Sequence, residues 1–188
     1  MAAIDLFLLG FFMNNQKPLT EEQSLPTFWG AYDLAKFIEN NDLQEMIKVS
    51  TPAVYKNIAA LSQKGYLTVE IVKENSMPEK KVYKITDKGK EYFIRLLEIT
   101  IHNDIKYNFD FNTVVLNLDK VDQKTALMFL KELQQNFLKK RDFLNNCIQR
   151  YSFIPLPGLT LIKQNQMINE TLIQWINELR DEYQKEDF

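Results

Sequence analysis

The stretch Ser50–Leu67, "STPAVYKNIAALSQKGYL", constrains this chain more than any other, because it carries both ends of one helix and the start of the element that follows. Ser50 or Thr51 offers a hydroxyl to cap the helix, and Pro52 falls in its first turn, where a missing N–H costs nothing. Val54, Ile58 and Leu61 recur at spacings of four and three and define an inward face. Gly65 occupies the place where a helix ends in a left-handed residue, and Tyr66 and Leu67 return toward a core. "YLTVEIVKE" then alternates, with Leu67, Val69 and Ile71 on one side and Thr68, Glu70 and Val72 on the other. "KKVYKIT" alternates as well, Val82 and Ile85 flanking Tyr83 and Lys84, and the polar "NSMPEK" separates the two runs. The pattern predicts a helix followed at once by a β-hairpin with a long loop.

The flanking sequence sets the architecture. "MAAIDLFLLGFFMNN" has no basic leader, no small-residue cleavage site, and an apolar run far short of the ~20 residues of a membrane span. It reads as a buried helix from Ala3 to about Met13 in a soluble, cytoplasmic protein with no membrane partner. "QKPLTEEQSLPTF" holds two prolines and no period and reads as a loop. "WGAYDLAKFIEN" is a second helix with Leu34, Phe37 and Ile38 on its core stripe, and "NDLQEMIKV" is a short connection with room for one helical turn. After the hairpin, Thr86 or Asp87 caps a helix that runs through Phe93, Leu96, Leu97 and Ile101. Three helices, a hairpin and a helix make a winged helix-turn-helix. The third helix then turns Thr51, Tyr55, Lys56, Asn57 and Lys64 outward, as a helix suited to the major groove, and Lys80 and Lys81 act as wing lysines on the neighbouring backbone.

The second half is helical. "FDFNTVVLNLDKVDQ" is a short helix or an extended connector. Asp122 to Arg150 reads as one long helix with Leu130, Leu133, Phe137, Leu144 and Ile148 on a stripe, "YSFIPLPGL" breaks it, and Thr160 to about Gln184 forms the last helix. Two amphipathic helices need a partner for their stripes, most simply the same helices of a second chain. Mixed Phe, Leu and Tyr positions favour a globular helical dimer over a coiled coil. The expected fold is mainly α with a small β-hairpin wing: a winged helix-turn-helix over residues 1–107 and a helical dimerisation or effector domain over residues 108–188.

Composition then excludes several functions. Five scattered glycines supply no phosphate-cradling loop. The one histidine, His102, leaves a histidine metal site or a Ser-His-Asp triad hard to build. Neither a metal nor a cofactor is expected, and no nucleophile–base pair marks an enzyme. The single cysteine, Cys147, rules out an internal disulfide and fits a helix core better than a redox sensor. The net charge of −2 is unevenly spread: residues 48–95 carry ten basic side chains against five acidic ones. That excess surrounds the capped helix and favours nucleic acid.

Four stretches resemble the PadR family of bacterial transcriptional regulators, in the right order over residues 4–95. "IDLFLLGFF" is similar to its first helix, "GAYDLAKFIE" to its "SGYDIxKxIE" helix, "STPAVYKNIAALSQKGYLT" to "SPGxIYPALxRLEEEGLLT", and "KKVYKITDKGKEYF" to "RRxYxLTExGRxxL". "INETLIQWINEL" resembles the "ExxWLxxL" end of the family's C-terminal helical domain. The resemblance implies a homodimeric, ligand-responsive repressor of double-stranded DNA operators with inverted repeats. It makes Tyr32, Ser50, Thr51, Tyr55 and Lys56 DNA-contact candidates, Lys56 standing where many members have proline. The loop Thr20–Phe28 is longer than the family's usual tight turn. Family members often release DNA on binding small aromatic compounds, which makes Phe137, Tyr151 and Trp175, with Phe143 and Phe153 nearby, candidates for an effector site. The competing reading is a winged-helix protein-interaction module that does not bind DNA.

Overall fold

The structure is a computed structural model that describes residues 2–13, 30–73 and 79–185. The expected loop Thr20–Phe28 lies outside the described residues. Two compact units divide the chain, Met1–Asp104 and Ile105–Phe188.

The first unit orders as α1 (Ala2–Met13), α2 (Ala31–Asn40), a single 3-10 turn at Leu43–Glu45, α3 (Thr51–Gln63), β1 (Leu67–Val72), β2 (Lys80–Ile85) and α4 (Asp87–Ile101). This is the winged helix-turn-helix order. Its core joins Leu8, Leu9 and Phe12 of α1, Leu34 and Ile38 of α2, Val54, Ile58 and Leu61 of α3, Leu67 of β1 and Leu96 of α4. Both ends of α3 are fixed by local chemistry. The Ala53 N–H donates to Ser50 Oγ at 3.4 Å, which makes Ser50 the cap. At the other end Gly65 takes φ +73°. There the Tyr66 N–H donates to the Leu61 carbonyl at 3.0 Å and the Gly65 N–H to the Ser62 carbonyl at 2.9 Å, the paired bonds of a Schellman turn.

Thr86 ties the next helix to that turn. Its hydroxyl accepts from the Gly89 N–H at 3.0 Å and donates to the carbonyls of Gly65 at 2.8 Å and Tyr66 at 3.2 Å. Tyr66 stacks on Tyr92 of α4 with ring centroids 4.1 Å apart. The hairpin pairs antiparallel, Leu67 opposite Ile85 and Val72 opposite Lys80. Its cover is uneven. Leu67 and Val82 are buried, but Val69 and Ile71, expected to share the inward side, are 44% and 65% exposed. Period 2 fixes a side without guaranteeing a cover.

In the second unit α5 (Asn112–Val115) and a 3-10 turn at Leu118–Lys120 lead into α6 (Gln123–Arg150) and α7 (Leu156–Lys185). Asp122 caps α6, accepting from the Thr125 N–H at 3.0 Å. The last helix begins at Leu156, four residues before the expected Thr160. Pro157 sits in its first turn, where its missing N–H has no helical acceptor to lose, so the "PLPG" run starts a helix as well as ending one. The stripes of α6 and α7 meet each other within the chain: Leu130 and Phe137 pack with Ile176, Leu172 and Trp175. The buried Asn169 donates to the Phe137 carbonyl at 3.0 Å, and Gln123 donates to the Tyr183 carbonyl at 2.8 Å. Cys147 is buried in α6. No helix among the described residues is long and apolar enough to cross a membrane.

Candidate nucleic-acid interface

The inward triad Val54, Ile58 and Leu61 fixes the rotation of α3, and the opposite side is open. Thr51, Tyr55 and Lys56 are all exposed, Tyr55 at 41%. Lys56 and Lys81 have no ion-pair partner among the described residues, so both charges are available to an anion. Ser50 uses its oxygen as the cap, which leaves its O–H to donate elsewhere. Asn57 shares the outward half of the helix, but its amide donates to the Ala53 carbonyl at 2.7 Å and is partly spent on its own backbone.

A second group comes from α2. Tyr32 is exposed in its first turn, and Lys36, one turn on, places its ammonium 5.1 Å from the centre of the Tyr32 ring. The hydrogen bond to the Tyr32 hydroxyl holds the lysine pKa above its usual range and keeps the cation charged. Sequence reasoning named Tyr32 and missed Lys36, although the i, i+4 spacing on a helix carries the signal. It also missed Asp33. The Asp33 carboxylate accepts from the Gly30 N–H at 3.1 Å and from Lys80 Nζ at 2.5 Å.

Lys80 and Lys64, also expected to contact DNA, sit apart from the exposed trio. Lys80 belongs to strand β2 and is engaged by Asp33, so its charge is shared before any phosphate arrives. Lys64 is exposed but lies at the C-terminal end of α3, about 20 Å along the axis from Thr51. Its own carbonyl accepts from Lys88 Nζ of α4 at 2.9 Å, and its charge acts on Asp5 of α1. Burial pushes the Asp5 carboxyl up, and the pulls of Lys64, the N-terminal amine and the Tyr92 hydroxyl oppose that shift. This end of α3 is the fold's anchor, remote from the residues near Ser50.

The aromatic candidates of the second unit do not form one cluster. Phe137 and Trp175 both meet Phe111, at centroid separations of 5.2 and 5.9 Å, and Phe111 also approaches Phe109 at 5.0 Å. Tyr151 lies fourteen residues beyond Phe137 at the end of α6, about 21 Å along the helix, with Arg150 over its ring. Phe111, unnoticed in the sequence, is the residue that joins the first two. Among the described residues no group of histidine, cysteine and carboxylate side chains is arranged to hold a metal ion.

A capped helix with an open polar side, held by a hairpin wing, defines the class as a winged helix-turn-helix protein. Residues 30–95 match the model of the transcriptional regulator PadR-like family. A comparison with curated protein sequences found no match. Among solved structures, Bacillus subtilis PadR in complex with operator DNA superposes with a TM-score of 0.77 at 14% identity, covering 97% of this chain and 98% of that one. The same protein in complex with p-coumaric acid gives 0.71 at 13% identity, over 97% and 96% of the two chains. A PadR-like transcriptional regulator from Bacillus cereus gives 0.67 at 16% identity, over 95% and 94%. At these identities the likeness is one of fold.

Proposed function

We propose that this chain is a cytoplasmic, dimeric transcriptional regulator that binds double-stranded operator DNA through α3 and the wing, acts as a repressor, and is released by a small aromatic ligand. Residues 1–107 serve as its DNA-binding domain and residues 108–188 as its dimerisation and effector domain, and it catalyses no reaction. The observation that carries this reading is the open side of α3. Thr51, Tyr55 and Lys56 stand exposed on a helix whose opposite side is fully committed to the core, within the region that matches the PadR-like family. The operator and p-coumaric acid complexes of B. subtilis PadR support the same assignment. In a two-fold dimer the two helices read half-sites about one turn of DNA apart, ~34–36 Å, so the operator is an inverted repeat.

The roles divide between α3 and the wing. Lys56 and Lys81 are flexible point charges suited to phosphates, whereas Tyr55 and Thr51 lie nearer the helix start, where side chains reach base edges and thymine methyls. The test is binding of Lys56→Ala and Tyr55→Ala proteins to a duplex from the gene's own upstream region and to a random duplex, across a salt series. Lys56→Ala weakens both duplexes and lowers the salt slope by about one unit, while Tyr55→Ala costs about 1–3 kcal/mol on the upstream duplex alone. Parent-like binding by two folded variants would hand the function to the protein-interaction reading.

A further inference from the structure

We infer that Asp33 is a positioning residue for the wing: its carboxylate ties the start of β2 to the start of α2 and so sets where the wing meets DNA, an inference that rests on the DNA-binding reading above. Asp33 is 28% exposed and Lys80 48%, and their contact of 2.5 Å joins elements far apart in sequence. The same oxygen accepts the Gly30 N–H at 3.1 Å, so one carboxylate holds the strand and caps the helix. The approach is too close for any side chain at position 30. A Cβ on Gly30 would lie 2.8 Å from Asp33 Oδ2, 3.1 Å from the Lys81 carbonyl oxygen and 3.2 Å from Lys80 Cε. A two-stranded ribbon is marginal alone, and the exposed Val69 and Ile71 leave much of its β1 strand uncovered. The placement of the ribbon is therefore set along β2, by the buried Val82 and, at the loop end of the strand, by the Asp33 contact. A part-exposed ion pair adds little to overall stability, so its removal acts on the position of the wing and leaves the fold intact.

Charge and position predict opposite signs, which makes the inference testable. A carboxylate beside a phosphate-binding surface repels DNA, so electrostatics alone has Asp33→Asn binding every duplex more tightly. Loss of positioning has the same variant binding the upstream duplex about tenfold more weakly, the worth of one well-placed charged hydrogen bond, with random duplex unchanged or tighter. The companion measurement is hydrogen exchange on the full-length free protein. Asp33→Asn is expected to speed exchange in residues 80–85 and leave α3 and α4 unchanged. Lys80→Met, which breaks the pair without touching the helix cap, is expected to do the same, and Lys80→Arg to restore the parent pattern. Tighter binding of both duplexes by Asp33→Asn, or parent-like exchange in residues 80–85 of both pair-breaking variants, overturns the inference. A parent protein that binds neither duplex overturns the DNA reading instead, and exchange still reports whether Asp33 holds the wing.

Discussion

Replacing Gly89 by alanine should destabilise the first unit, although the same change in an open helix would help it. Glycine inside a helix costs about 0.5–1 kcal/mol relative to alanine, so the backbone contribution favours the variant by that amount. The surroundings reverse the sign. A Cβ at position 89 would come 2.2 Å from the Tyr66 carbonyl oxygen and 2.8 Å from Ile85 Cγ1. The side chain of Ile85 can turn aside, but the carbonyl is fixed by the Thr86 N–H at 3.1 Å and the Thr86 hydroxyl at 3.2 Å. Moving α4 outward by about 1 Å weakens those bonds, each worth about 1 kcal/mol, and adds the roughly 1–3 kcal/mol of an overpacked contact. The net loss is about 2–4 kcal/mol, which lowers the melting temperature of a unit of this size by roughly 10–30 °C. Scanning calorimetry of the full chain, with circular dichroism as a second probe, measures it. An alanine variant as stable as the parent would refute the reasoning, because the Tyr66 turn would then have to yield without cost.

Three further outcomes follow from the geometry. Asp5→Asn should change the pH dependence of stability. Because burial raises the folded pKa of Asp5 above its unfolded value, its contribution is fully present below about pH 4 and is lost as pH rises through the folded pKa. The asparagine variant therefore gains on the parent above that window and loses the advantage in acid, and thermal melts from pH 4 to pH 7 with one common slope would contradict this. Lys64→Ala should leave the affinity for the upstream duplex close to that of the parent, since this residue lies at the anchored end of α3; a loss as large as that of Lys56→Ala would place it on the DNA. A protein ending near Tyr107 should lose the dimer, as light scattering would report, and a truncated chain that dimerises as tightly as the full one would move the interface out of α6 and α7.

Much of this was readable from residue types whose effects are local. Ser50, Pro52 and Gly65 bracket α3 because capping and left-handed backbone act within a few residues, and the Val54, Ile58 and Leu61 stripe orients it. What period alone withholds is position along an axis. It placed Lys64 on the outward side of α3 without showing that its carbonyl takes a hydrogen bond from Lys88 of α4. It likewise put Val69 and Ile71 on the side of Leu67 without showing that both stay exposed. The Asp33–Lys80 pair escaped notice because it forms between residues brought together only by the fold. Lys36 is the opposite case, since four residues from Tyr32 on a helix it was within reach of local reasoning. The start of α7 turned on Pro157, which suits either a break or a first turn, and tertiary packing of the long stripe decided for the turn.

The way α3 is secured separates two inheritances within one short stretch, Ser50 to Gly65. Its cap, its buried triad and its glycine exit occupy Ser50, Val54, Ile58, Leu61 and Gly65, and none of these is Thr51, Tyr55 or Lys56. Substitutions at the exposed trio can accumulate without unfolding the helix that presents them, because those side chains hold up nothing else. If the trio reads DNA as proposed, a lineage can drift from one target sequence to another while the scaffold stays under the same selection. The same independence makes the trio a natural place for a randomised library, with specificity as the selected trait and folding carried unchanged from variant to variant.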